Sequence, residues 1–115
     1  MQSRPESDET LVRRMLPSTN ADQADRAHAW AEWQSSGGLA ALLRFIHFYN
    51  HTTEPDEDIL QEALLTAYLE VERGRYAPRP GIPFTAYVKG IARNKLREAR
   101  RRERRYTSLD DLTFC

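Results

Sequence analysis

The sequence predicts an all-α fold, a compact bundle of about four helices with a projecting basic C-terminal helix. Two observations carry this. Apolar residues recur at three-and-four spacing in successive segments, and no stretch of useful length alternates with a period of two. Glycine and proline clusters fall between those segments, where helices would end. With 115 residues there is room for one domain.

Residues 1–20 are polar, contain Pro5 and Pro17, and offer one apolar cluster at Leu11, Val12, Met15 and Leu16. They read as a flexible N-terminal arm with a helical turn or two. Ser18 and Thr19 supply helix-start oxygens, with Asp22 in the first turn. Ala24, Ala27, Ala31 and Gln34 follow at helical spacing, with Trp30 and Trp33 beside them. The Gly37-Gly38 pair ends that helix. A second helix carries Leu39, Leu42, Leu43, Ile46 and Tyr49 on one apolar stripe and stops near Asn50-His51.

Pro55 stands where a first helical turn tolerates it, and Glu54, Asp56, Glu57 and Asp58 put negative charge at the positive end of a helix dipole. Leu60, Ala63, Leu64, Ala67 and Val71 form the expected buried stripe of this third helix, and Gly74 terminates it. Gly74 to Pro83 holds three prolines and two glycines, so it is a loop. The fourth helix begins close to Phe84 with Tyr87, Val88, Ile91, Ala92 and Leu96 at helical spacing. From Arg97 to Arg105 apolar residues nearly vanish, so that half is expected to project. The domain is expected over 21–106, with 107–115 the start of a linker or tail.

The net charge is zero, yet the charges are segregated. Arg73 to Arg105 holds 12 lysines and arginines against 2 acids, which leaves 5 basic against 15 acidic residues elsewhere. A block of like charge repels itself unless something neutralises it, so the segment points to a polyanionic partner. No stretch is apolar enough for a membrane span, the start lacks the apolar core of a secretory signal, and Cys115 is the one cysteine. These features favour the cytoplasm.

Catalytic signatures do not assemble. A glycine-rich phosphate loop, a His-Glu-x-x-His helix, a nucleophile elbow and a Cys/His ligand spacing are all missing. His28, His47 and His51 are scattered, and Asp56-Glu57-Asp58 lacks the spaced ligands and glycine of a calcium loop. The chain is expected to be no enzyme and to need no metal or cofactor.

The informative signal is an ordered series: Asp56-Glu57-Asp58-Ile59-Leu60-Gln61-Glu62, then the Pro/Gly loop, then Phe84-Thr85-Ala86-Tyr87-Val88-Lys89-Gly90-Ile91-Ala92-Arg93-Asn94 with its basic continuation to Arg105. Over roughly Ala24 to Leu112 this resembles region 2 of the extracytoplasmic-function branch of the sigma-70 family of RNA polymerase sigma factors. The resemblance implies a transcription-initiation domain that docks on core RNA polymerase and recognises and helps melt the promoter −10 element. By motif position, Asp58, Gln61, Glu62 and Leu65 would meet the clamp helices of the polymerase's largest subunit. Exposed acids and an amide suit a basic partner surface.

The loop matches the place where the family captures a flipped base, which implicates Arg75, Tyr76 and Arg79. Aromatic stacking can offset the cost of unstacking. The loop is longer and richer in proline than is usual there, Tyr87 stands where the family commonly has tryptophan, and Phe84 sits at a position that is more often core. Asn94 closes the Ile-Ala-Arg-Asn string, and its amide both donates and accepts hydrogen bonds. Tyr87, Lys89, Arg93, Arg97, Arg100, Arg101 and Arg104 complete the DNA-binding set, the cations suited to phosphates. An anti-sigma factor is a further partner that the resemblance allows.

Members of this branch normally carry a second domain that reads the −35 element. This chain ends where the linker to it would begin, which fits a piece of a longer factor or a one-domain protein. Two other readings compete: a small helical interaction protein that binds polymerase without opening DNA, and a non-specific nucleic-acid-binding bundle.

Overall fold

The computed structural model describes residues 8–16 and 23–113, with the side chains of 8–10, 12 and 107–113 outside the description. Its helices are α1 (Asp8–Met15), α2 (Gln23–Trp33), α3 (Leu39–Tyr49), α4 (Asp56–Glu72) and α5 (Phe84–Thr113), with a π-helical turn at Gln34–Gly38 between α2 and α3. Among the described residues there is no strand, and the all-α expectation holds. Helix α5 packs on α3 and α4, α3 packs on α4, and α1 lies against α2 and touches α5.

The core is one apolar cluster whose largest enclosed side chains are Trp33, Phe84, Leu11, Met15, Leu42, Ile46, Ile59, Val71 and Val88. Trp30, Trp33 and Phe84 meet edge to face, with the ring centroids of Trp33 and Phe84 5.3 Å apart. The head of α5 is thereby fixed against α2. Gly38 makes this packing possible, since a Cβ there would lie 2.4 Å from Cε2 of Trp33. Gly37 turns the chain at φ 112°, a conformation costly for any residue with a Cβ.

Several elements differ from the sequence reading. Residues 8–15 form a helix that buries Leu11 and Met15, and Arg14 pairs with Asp25 and Glu32 of α2 at 2.8 and 3.2 Å, so this part of the expected arm belongs to the core. The proposed capping residues Ser18, Thr19 and Asp22 lie outside the described residues. On α2 the inward row is Ala29, Trp30 and Trp33, while Ala24, Ala27 and Ala31 face out. On α4 the enclosed row is Ile59, Ala63, Ala67 and Val71, with Leu60 and Leu64 half-buried at its flank.

Helix α5 also stays packed longer than expected, because Ala99 is fully enclosed. Arg102 then forms a two-pronged pair with Glu54, from Nε and Nη2, at 2.8 and 2.9 Å. One residue on, Glu103 accepts the Thr53 backbone N–H at 2.9 Å. The helix runs on to Thr113, through residues expected to begin a linker.

Candidate functional site

Helix α4 starts at Asp56 because Asn50 and the acidic turn prepare it. Asn50 ends α3, donating its backbone N–H to the Ile46 carbonyl at 2.8 Å. Its side-chain amide donates to the Glu54 carbonyl and to Asp56 Oδ1 at 2.9 and 2.8 Å. His47 Nδ1 meets Asp56 Oδ2 at 2.7 Å. The Asn50 amide, and after it the His47 ring, hold the Asp56 carboxyl below its ordinary value. Three acids then occupy the positive end of the helix dipole.

Beyond that turn, Asp58, Gln61, Glu62 and Leu65 all stand exposed on the side of α4 opposite its buried row. Their i, i+3, i+4, i+7 spacing makes them one surface. Leu65 is 59% exposed, a large apolar group left in water. It borders an open groove of about 620 Å³ lined by Trp30, Leu39, Leu64 and Tyr68 among others. Sequence reasoning did not find that groove, because its walls come from three helices and no single periodicity reports it.

The loop between α4 and α5 opens with the Arg75 N–H donating to the Glu70 carbonyl at 2.9 Å, and turns again where Arg79 and Ile82 bridge. Arg75 pairs with Glu70 at 3.2 Å and Arg79 is exposed. Tyr76 and Tyr87 are each half-buried, their ring centroids 4.4 Å apart, and both contact Phe84. Burial first, and Glu70 and Tyr76 next, push the Tyr87 phenol up. Phe84 itself is 1% exposed and is a core residue.

On α5, Asn94, Arg93, Arg97, Arg100, Arg101 and Arg104 are exposed, and Lys89 is half-buried with its Nζ 5.9 Å from the centre of the Phe45 ring. At about 100° per residue they split into two rows. Lys89, Arg93, Arg97, Arg100 and Arg104 run along one side, beside the end of α3. Asn94 and Arg101 lie a quarter-turn or so away, on the side that carries Tyr87. The basic block is also divided by use. Lys95 pairs with Glu98 and Arg102 with Glu54, whereas Arg93, Arg97, Arg100, Arg101 and Arg104 have no carboxylate partner among the described residues.

Among the described residues no three of His, Cys, Asp and Glu come together as a metal site, and no helix is long and apolar enough to cross a membrane. The all-helical module thus carries an acidic face on α4 and, on α5, a row of arginines that meet no carboxylate among the described residues. The Sigma-70 region 2 profile matches residues 39–106, and the chain belongs to the sigma-70 family. Region 2 is the part of these factors that binds RNA polymerase and recognises the promoter −10 element. No curated protein and no solved structure matches the chain.

Proposed function

We propose that this chain is region 2 of a sigma factor of the extracytoplasmic-function branch, acting in the cytoplasm as a non-enzymatic initiation factor. It docks through Asp58, Gln61, Glu62 and Leu65 on the clamp helices of the polymerase's largest subunit. It reads and helps melt the −10 element through Arg75, Tyr76 and Arg79 of the loop and through Tyr87, Asn94 and the cations of α5. One observation carries the reading: the four docking residues stand together on α4, while Asn94 and Arg93, Arg97, Arg100, Arg101 and Arg104, which meet no carboxylate among the described residues, stand on α5. The two partners can therefore bind at once.

The chemistry supports each assignment. Exposed acids with one amide favour fast, specific association with a basic surface, and Leu65 with its groove adds apolar area at the edge. The arginines neutralise phosphates, and Asn94 supplies a donor and an acceptor for a base edge or backbone. Tyr76 and Tyr87 are half-buried and not enclosed, and they are the aromatics of the loop and of the head of α5 that a base would meet. Nucleotide addition belongs to the polymerase, and an anti-sigma factor is a further partner under this proposal.

The test is binding to single-stranded DNA carrying different −10-like sequences at fixed salt. A preferred sequence is expected, and equal affinity for all of them would reject promoter reading. Run-off transcription with core polymerase, with this chain joined to an upstream-reading domain, tests the two surfaces together.

A further inference from the structure

Helices α3 and α5 leave a groove of about 230 Å³ between them, lined by Phe45, Tyr49 and His51 on one side and Arg93, Arg97 and Arg100 on the other. We infer that this groove captures one unstacked base of a single DNA strand, stacked on Tyr49 with its flanking phosphates held by Arg93, Arg97 and Arg100. This rests on the promoter-reading proposal and adds to it a second contact, about a quarter-turn around α5 from Asn94.

Three observations point to a nucleotide. The groove is smaller than the ~300 Å³ at which pockets for drug-sized ligands begin, and suits one planar ring system. Its floor is aromatic: Phe45 and Tyr49 lie 4.8 Å apart, Phe48 meets Tyr49 edge on at 4.9 Å, and Tyr49 stays 52% exposed. Lys89 sits by the Phe45 ring, which leaves Tyr49 as the open stacking surface. Its rim is cationic and uncompensated, since none of Arg93, Arg97 and Arg100 meets a carboxylate among the described residues. A stacking ring facing a row of phosphate-binding cations across a groove is the arrangement by which single strands are held. His51 adds a polar group at the mouth that can address a base edge.

The test uses the full chain and a 12-nucleotide oligothymidine carrying one 2-aminopurine, moved position by position. Wild type should quench the probe strongly at a position that Tyr49→Ala releases. Tyr49→Ala should also weaken binding about tenfold, while Tyr49→Phe keeps both properties. The salt dependence of Tyr49→Ala should match wild type, because its phosphate contacts remain. Arg97→Gln should instead lower the slope of log affinity against log salt by about 0.7. If wild type binds the oligonucleotide but quenches no position, or Tyr49→Ala binds and quenches like wild type, the groove is no base site and promoter reading stands. Failure of wild type to bind any single strand would take down both.

Discussion

Gly38→Ala should unsettle the packing that aims α5, and its size can be worked from the structure. The added methyl would lie 2.4, 2.7 and 2.8 Å from three carbons of the Trp33 indole. That ring has little room to retreat. It is 1% exposed, wedged edge on against Trp30 and Phe84, and its Nε1 donates to Thr85 Oγ1 at 3.3 Å. Forcing a methyl into such a site costs about 1–3 kcal/mol. Gly38 has an ordinary helical backbone, φ −61°, so alanine recovers up to about 1 kcal/mol of helix propensity. With that recovery counted in full, the net expectation is a loss of up to about 2 kcal/mol, or up to roughly 15 °C in Tm for a domain this size. Urea and thermal unfolding followed by helical circular dichroism would measure it. Gly90→Ala is the control: it meets nothing within 4 Å and should stabilise by about 0.4–1 kcal/mol. A Gly38→Ala protein raised in stability like Gly90→Ala would refute the account of the Trp33 contact.

Four other outcomes are expected. Asp58→Ala with Gln61→Ala should weaken association with core polymerase and leave DNA affinity unchanged, as a pull-down and an oligonucleotide titration would show. Arg102→Gln should cost up to about 1 kcal/mol in a denaturant titration, because its pair with Glu54 is partly solvated, and should leave the salt slope of DNA binding unaltered. Gly37→Ala, at φ 112° but with open space around it, should destabilise by about 1–2 kcal/mol through backbone strain alone. Asp56 is depressed in the fold, so its contribution is present above the unfolded carboxyl value near ~3.9 and is lost as pH falls through its lower folded value. Asp56→Asn should therefore lower stability near neutrality and flatten the acid limb in a pH series of denaturant midpoints.

Helix starts and stops were legible in the sequence wherever a local chemical signal sets them. Pro55 with its acids opens α4, Gly37-Gly38 breaks the chain after α2, and α5 begins at Phe84. What was not legible depends on neighbours. Ile59 rather than Leu60 leads the buried row of α4, because periodicity gives the width of a stripe better than its centre. Leu11 and Met15 were too few to mark a core helix until α2 supplied their partner surface and anchors for Arg14. Ala99 is small enough to hide in a run of arginines. Among the cations, the sequence reading put Arg101 and not Arg102 in the DNA-binding set, yet gave no sign that Glu54 holds Arg102. Nor could it show that Phe45 and Tyr49, read as helix-stripe or unremarked residues, face Arg93 and Arg97 across a groove.

The segment from Asn50 to Asp56 reaches three helices within a few residues: Asn50 closes α3, Asp56 opens α4, and Thr53 and Glu54 grip α5 through Glu103 and Arg102. It ties the three helices together at one corner, on the α5 side through one backbone hydrogen bond and one partly solvated ion pair. On the proposed assignment of the two faces, a strand lying along α5 would be measured from the frame of whatever holds α4, like a ruler whose zero mark is cut into that corner.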